Sequence, residues 1–210
     1  EDTRHTRRLL AHLGITTPLQ SMHEHNEAAE LPDLIAQLKA GRRFALVSDA
    51  GTPLVSDPGF PLVRACRANA IDVIPVPGVS ALITALSVAG LPTDRFRFEG
   101  FLPRRASARR EHLKELAAER VTLVFYESSH RIVESLDDCV LVFGGQRPAA
   151  IARELTKRHE TVKSAALAGL ADWVRADANQ QRGEFVLLVG GMQGAEQPQE
   201  HDALLRVLLA

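Results

Sequence analysis

Hydrophobic residues in the first half of the chain follow two alternating patterns. Leucine and isoleucine residues over 31–38 recur at the spacing of one helix face, and Gly41 follows as a stop. The runs 44–47 and 71–76 are short and apolar between polar residues, which is typical of buried parallel strands. Further helices are predicted over 3–13, with Thr3 as cap and Gly14 as stop, over 61–69 and over 81–90, and a short strand is predicted over 16–22. This alternation predicts a parallel α/β sheet.

The pattern resets after Gly90, Leu91 and Pro92, which predicts a boundary between two domains. Residues 1–91 are assigned to an amino-terminal α/β domain, 92–195 to a carboxyl-terminal α/β domain and 196–210 to the start of a helical tail. Strands are predicted around Phe96 and Phe98 and over 121–126, 148–154, 161–167 and 185–189, and helices over 107–118, from Ser128 or Ser129 as cap to about 140, and over 170–176. These elements predict a mixed sheet in the second domain and a cleft between the two domains.

The composition limits the possible functions without choosing one. The chain holds 25 Lys and Arg against 26 Asp and Glu, so a net charge of −1 gives no overall attraction to nucleic acid, and any such surface is a local patch. Cys66 and Cys139 have no spacing suited to zinc and are predicted to be reduced, buried thiols; no metal-binding cluster is visible. The sequence shows no membrane-spanning run and no signal peptide, which favours a cytoplasmic protein.

Polar residues that can carry chemistry follow several of the predicted strands. The loop 48–59 contains Asp49 and Asp57 among hydroxyl groups and glycines, and it is either a ligand site or an elaborate turn held by its own side chains. Glu127 follows a buried strand, where a carboxylate must be paired or functional. His130 is either a hydrogen-bonded residue near a helix end or a catalytic group.

Four arginines form a cationic cluster just after the predicted domain boundary. They are Arg104, Arg105, Arg109 and Arg110. The cluster either begins a solvated helix or contacts a phosphate backbone.

Seven segments, taken in order, resemble the ribosomal RNA small subunit methyltransferase I family. They are EDTRHTRRLL at 1–10, SDAGTPLVSDPG at 48–59, VPGVSA at 76–81, FEGFLP at 98–103, FYESSHR at 125–131, RELTK at 153–157 and GEF at 183–185. The resemblance runs over nearly the whole chain. It departs from the family at Ser129, where the family usually has proline.

The resemblance implies a fold and an activity. The fold is two α/β domains of the tetrapyrrole-methylase type, with S-adenosylmethionine in the cleft between them, usually in a homodimer. The activity is methylation of the ribose 2′-hydroxyl of a cytidine in the decoding region of small-subunit ribosomal RNA, either free or in the assembled 30S subunit. The family carries a strand and a glycine-rich loop before the position of Glu1, and a helical pattern still runs at Ala210, so the chain is expected to be truncated at both ends.

The resemblance also implies roles for single residues. Cofactor-binding residues would be Asp49, Ala50, Gly51, Thr52, Val55, Asp57, Ser80, Ala81 and Tyr126. Glu127 and His130 are the candidates for the base or orienting group at the reacting hydroxyl. RNA phosphates would be held by Arg4, Arg131 and Lys157 together with the four clustered arginines, and no metal is predicted.

Two other functions stay open from the sequence. A tetrapyrrole methyltransferase shares the two-domain fold, and fold does not fix the substrate. A non-catalytic RNA-binding module is the second possibility. The clustered arginines and the segment 127–131 favour RNA over a tetrapyrrole.

Overall fold

Residues 2–192 are described by the structure, which is a computed structural model. Their contacts form two compact units, one up to Ala81 and one from Leu82 onwards. The helical tail predicted over 196–210 lies outside the described residues. The domain boundary predicted after residue 91 stays a prediction. In the part of the chain that the structure describes, no helix is long and apolar enough to cross a membrane.

Helices make up the regular structure of the first unit. They are α1 (Thr3–His12), α2 (Glu27–Lys39), α3 (Phe60–Ala68) and the start of α4 (Ala81–Val88). Helix α1 begins where predicted, but Thr3 is not its cap. The carboxylate of Asp2 caps the helix by accepting a hydrogen bond from the backbone N–H of Arg4 at 2.9 Å. Gly14 follows the helix in the left-handed conformation, with a φ of 68°.

The three strands predicted for this unit, over 16–22, 44–47 and 71–76, are wrong. Within the described residues these runs are irregular or extended segments that belong to no sheet. Some of their apolar side chains are exposed to water: Ile74 is 81% exposed and Val76 is 90% exposed. A strand needs a second backbone beside it, and these runs have no such neighbour in the residues described.

The second unit contains a five-stranded mixed sheet, as the sequence predicts. The strand order is β1-β2-β5-β3-β4; β1 and β2 are parallel and all other neighbours are antiparallel. The strands are β1 (Phe96–Phe101), β2 (Thr122–Ser128), β3 (Pro148–Arg153), β4 (Thr161–Ala166) and β5 (Glu184–Val189). The helices of this unit are α5 (Ala106–Leu116), α6 (Ile132–Phe143) and α7 (Leu167–Ala176), followed by a 3-10 turn at Ala178–Gln181.

The hydrophobic core lies where α5, α6 and α7 pack on one face of this sheet. Leu123 and Phe125 of β2 and Ile151 of β3 are fully buried there against helix residues such as Leu136. Full burial of one such side chain stabilises the fold by roughly 2–3 kcal/mol.

Strand β2 presents successive side chains to opposite faces of the sheet. Glu127 points toward the helices, where it meets Ser135 of α6, whereas Tyr126 lies on the other face beside Phe98. The two residues are neighbours in sequence but belong to different surroundings.

Helix α6 begins later than the sequence predicts. Strand β2 continues through Ser128, which pairs with Glu184 of β5, so the prediction that Ser128 or Ser129 caps the helix is wrong. The helix starts at Ile132, after a turn that carries His130.

Candidate functional site

The loop 48–59 is held in one shape by unusual backbone conformations. Leu54 and Ser56 have positive φ values of 73° and 64°, which residues other than glycine rarely adopt and which mark a constrained loop. At Gly59, with a φ of 127°, an added Cβ would lie 2.8 Å from Cδ2 of Leu46. The loop is therefore shaped around glycine at its end.

This loop is joined to the segment 76–81, which holds the predicted cofactor residues Ser80 and Ala81. The Thr52 hydroxyl donates a hydrogen bond to the carbonyl of Val79 at 3.1 Å. Ser80 and Ala81 follow directly, at the start of α4. The structure thus brings together two of the segments that the sequence singles out.

The predicted cofactor residues of the first unit differ in exposure. The exposed ones are Asp49, Ala50, Gly51 and Thr52, and the half-buried ones are Val55, Asp57, Ser80 and Ala81. Oδ1 of Asp49 accepts a hydrogen bond from the backbone N–H of Asp2 at 3.0 Å. A Cβ built on Gly51 would meet no atom within 4 Å, so space is open above this part of the loop.

Arg4 on α1 is paired within its own turn. Its Nη2 lies 2.7 Å from Oδ2 of Asp2. The side-chain hydrogen bond from Arg4 holds the pKa of Asp2 well below its usual range, and it raises the pKa of Arg4. The Arg4 side chain is 84% exposed, so water screens this pair strongly. Contact of Arg4 with phosphate stays a prediction.

In the second unit, Tyr126 belongs to an aromatic cluster with Phe98 and Phe101. The ring of Tyr126 meets that of Phe98 in a T-shaped contact with centroids 4.8 Å apart, and that of Phe101 at 5.7 Å. Tyr126 is half-buried, and Phe101 is 52% exposed. The cluster offers ring surface for contact with a planar ligand.

Glu127 is buried and fully hydrogen-bonded within the second unit. Its Oε1 accepts a hydrogen bond from the backbone N–H of Ser128 at 2.8 Å and lies 2.7 Å from Nη2 of Arg131. Its Oε2 accepts a hydrogen bond from the Ser135 hydroxyl at 2.6 Å. These partners satisfy the burial requirement of a carboxylate without any ligand. The catalytic role of Glu127 stays a prediction.

The turn after β2 carries two neighbouring residues, His130 and Arg131, that differ in exposure. His130 is exposed. The Arg131 side chain is 17% exposed, and its Nη1 donates a hydrogen bond to the carbonyl of Leu102 at 3.0 Å. Arg131 therefore joins this turn to the segment that follows β1.

The four clustered arginines divide into different environments. Arg109 is 1% exposed, and its Nε lies 2.7 Å from Oδ2 of Asp138 on α6. The prediction that Arg109 contacts phosphate on the surface is therefore wrong: its guanidinium is an interior ion-pair partner. Arg110 approaches Oδ1 of the same carboxylate at 2.6 Å with a half-exposed side chain, while Arg104 and Arg105 are exposed.

Lys157 lies between two carboxylates. Its Nζ is 3.1 Å from Oε1 of Glu154 and 2.9 Å from Oε2 of Glu184. Burial opposes its charge, but the hydrogen bonds to the two carboxylates raise the pKa of Lys157 overall. Gly183 permits this arrangement, because a Cβ there would lie 2.5 Å from the Glu154 side chain. Contact of Lys157 with phosphate stays a prediction.

Comparison with known proteins first defines a class. Residues 1–171 match the model of the tetrapyrrole (corrin/porphyrin) methylases. The crystal structure of the methyltransferase CobJ has a TM-score of 0.59 at 20% identity, covering 84% of this chain and 75% of that one. A second match is the structure of uroporphyrin-III C-methyl transferase from Thermus thermophilus, complexed with S-adenyl homocysteine. Its TM-score is 0.50 at 21% identity, and the match covers 79% of this chain and 73% of that one. The fold is that of the tetrapyrrole methylases.

Closer relatives then define the family. Proteins called ribosomal RNA small subunit methyltransferase I are 57% identical to the chain in Pseudomonas aeruginosa, over 99% of this chain and 74% of that protein. The relative from Escherichia coli O157:H7 is 51% identical, over 100% of this chain and 73% of that protein. The relative from Synechocystis sp. is 45% identical, over 98% of this chain and 73% of that protein. The chain belongs to the ribosomal RNA small subunit methyltransferase I family, which confirms the resemblance seen in its sequence.

Proposed function

We propose that this chain transfers a methyl group from S-adenosylmethionine to the ribose 2′-hydroxyl of a cytidine in small-subunit ribosomal RNA. The observation that carries the proposal is the 57% identity, over 209 residues, to the Pseudomonas aeruginosa ribosomal RNA small subunit methyltransferase I. An alignment over 99% of the chain spans the seven segments and also the four clustered arginines, which lie outside those segments.

The candidate residues fit S-adenosylmethionine by the chemistry of their donors and acceptors. Asp49 can accept hydrogen bonds from an amino group or ribose hydroxyls, and the open space at Gly51 allows a ligand to approach the backbone closely. Thr52, Val55, Asp57, Ser80 and Ala81 would complete the contacts in the first unit. By the same resemblance, the ring of Tyr126 is proposed as a contact for the planar adenine. When bound, the cofactor supplies an electrophilic methyl group on a sulfonium.

His130 is our candidate for the group that takes the proton from the ribose hydroxyl. An exposed imidazole can reach a bound substrate and has a ring nitrogen that can act as a general base. Glu127 is assigned to positioning instead, because both its oxygens are engaged in the interior. Its bonds to the backbone N–H of Ser128 and to Arg131 fix both ends of the turn that carries His130.

The RNA-binding surface is proposed to include the exposed arginines Arg104 and Arg105, with Arg110, Arg4 and Lys157 as further contacts. Arg131 is assigned to holding the protein backbone, since its guanidinium bonds Glu127 and the carbonyl of Leu102. Exposed guanidinium groups recognise phosphate oxygens through paired hydrogen bonds.

Transfer of labelled methyl groups tests the proposed function. The chain is incubated with labelled S-adenosylmethionine and either naked 16S ribosomal RNA or purified 30S subunits that lack the modification. We expect label in RNA, at a ribose 2′-oxygen. Cofactor binding without transfer to either RNA would count against the substrate, and label in a porphyrinoid would identify a tetrapyrrole methyltransferase. RNA binding without cofactor binding would identify a non-catalytic module.

The assembled 30S subunit as substrate, a cytoplasmic location and a homodimer are further parts of the proposal. Leu9 of α1 is 55% exposed and Leu13, which caps the end of that helix, is 58% exposed; apolar side chains of this kind suit a subunit interface. Light scattering on the purified chain measures the oligomeric state directly.

Asp49→Ala should weaken binding of S-adenosylmethionine about 10- to 100-fold while the fold stays intact. Asp49 is exposed and accepts a hydrogen bond from a backbone N–H near the chain start, so its removal costs little stability, whereas a charged hydrogen bond to a ligand contributes about 1.5–3 kcal/mol. Calorimetric titration measures the affinity. Asp72→Ala, at another exposed position of the same unit, is the matched control and should bind as the wild type does.

The double substitution Arg104→Gln, Arg105→Gln should reduce the salt dependence of RNA binding. On a single strand, removing one cationic partner of a phosphate lowers the slope of log K against log salt by about 0.7, so removing two lowers it by about 1.4. Fluorescence anisotropy at several salt concentrations measures the slope. Lys114→Gln with Lys163→Gln removes the same charge from other exposed positions, and an equal reduction of the slope in this control would contradict a local site.

A further inference from the structure

Three successive carbonyl oxygens after β1 are held by guanidinium groups from the interior. Arg131 Nη1 donates to the carbonyl of Leu102 at 3.0 Å. Arg109 Nη1 donates to the carbonyls of Pro103 and Arg104 at 3.4 and 3.3 Å. A backbone bonded at three consecutive residues has little freedom to move.

Both guanidinium groups are themselves fixed by buried carboxylates. The side chain of Glu127, which pairs with Arg131, is 0% exposed, and that of Asp138, which pairs with Arg109, is 4% exposed. Ion pairs excluded from water keep their geometry better than surface pairs, because neither partner can exchange the other for solvent. The guanidinium groups that bond the three carbonyls are therefore themselves fixed in position.

The held segment, residues 101–105, displays one aromatic ring and two cations. Phe101 is 52% exposed although it is a large apolar residue, whereas the next residue, Leu102, is 2% exposed and anchors the segment. Arg104 and Arg105 are exposed. The Phe101 ring is supported by a T-shaped contact with Tyr126, with centroids 5.7 Å apart.

The charge along the segment favours a polyanion as its partner. No acidic residue occurs between Gly100 and Arg110, and the first turn of α5 contains none. Exposed aromatic rings beside cationic side chains are the features by which proteins bind single-stranded RNA, with a base stacked on the ring and phosphates on the cations.

We propose that residues 101–105 form a preformed RNA-binding segment in which Phe101 stacks on a base of the substrate RNA. Arg104 and Arg105 contact the neighbouring phosphates. Arg109, Asp138, Glu127 and Arg131 are positioning residues that hold the segment. This deepens the proposed function and rests on it, because it names how the same RNA is bound.

The test is binding of the whole chain to a single-stranded oligoribonucleotide that contains 2-aminopurine, whose fluorescence is quenched by stacking. Phe101→Leu keeps an apolar side chain but removes the ring, and it should weaken binding roughly 5- to 100-fold, the range of base–aromatic stacking, and relieve the quenching. Phe101→Trp keeps a ring and should retain both. Phe96→Leu removes a 40% exposed ring from the same strand and should change neither.

Equal affinity of Phe101→Leu and the wild type would overturn the stacking role. A change of oligomeric state with unaltered RNA affinity would also overturn it, because Phe101 would then contact protein. Methyl transfer by the wild type is measured alongside. If the wild type methylates RNA and Phe101→Leu binds RNA normally, only the stacking proposal fails; if the wild type methylates no RNA, the proposed function fails.

Discussion

Glu127→Gln should lower the free energy of unfolding by about 3 kcal/mol and slow methyl transfer together. The substitution keeps the shape of the side chain but removes the charge that pairs with Arg131 at 2.7 Å, in a side chain that is fully buried. Loss of one partner of a buried pair costs about 3–5 kcal/mol, and the remaining hydrogen bonds of Gln favour the lower end. Urea denaturation measures the stability, and single-turnover kinetics with saturating RNA and cofactor measure the transfer.

Glu134→Gln is the matched control for this variant. Its side chain is 70% exposed on the same helix that Glu127 contacts, and it approaches Arg109 only at 3.8 Å, so its loss should change stability by less than about 1 kcal/mol. Glu127 would instead be the general base if Glu127→Gln left the stability unchanged but slowed methyl transfer about a hundredfold or more.

Asp138→Asn should destabilise the protein by about 3–5 kcal/mol, because it removes the buried counter-charge of Arg109 and leaves that interior guanidinium only the exposed carboxylate of Glu134, at 3.8 Å. Its neighbour on α6 offers the control. Asp137 pairs with Arg175 but is 49% exposed, so Asp137→Asn should cost under about 1 kcal/mol. Thermal and urea unfolding compare the two. Similar losses would show that burial of the ion pair does not decide its contribution.

A double variant separates stability from RNA binding. Arg109→Met with Asp138→Leu replaces the buried pair by apolar side chains, which is often neutral or stabilising. We expect it to regain most of the stability that Asp138→Asn loses. Its RNA affinity should be lower than that of the wild type, because this variant lacks the bonds from Arg109 to the carbonyls of Pro103 and Arg104. Recovery of both properties would contradict the positioning role.

The sequence predicts the second unit better than the first, and the reason is pairing. Strand β2 has β1 and β5 on either side, so its apolar run finds a ladder on both edges. The runs 44–47 and 71–76 have the same apolar character but no neighbouring strand among the described residues. The hydrophobic pattern of a segment indicates whether it can be buried. Whether the segment becomes a strand depends on a neighbouring strand with which it can form backbone hydrogen bonds.

The candidate site shows a similar limit for charged residues. The cluster of arginines is visible in the sequence, but the burial of Arg109 depends on Asp138, which lies 29 residues away. A signal for that pairing exists on α6, where Ser135 and Asp138 fall among buried apolar residues such as Leu136. Helical spacing shows that these polar residues face inward, whereas the identity of their partners requires the fold.

The opposite orientation of Tyr126 and Glu127 has a consequence for how the family can vary. Strand β2 is bonded on both sides, so an added or deleted residue cannot be absorbed at a free edge. One inserted residue before Tyr126 would exchange the two faces, carrying the tyrosine ring into the packed interior and the carboxylate away from its partners. Homologues can therefore substitute single residues along β2. An insertion or deletion in this strand would instead remove the proposed ligand contact of Tyr126 and the buried ion pair of Glu127 at the same time.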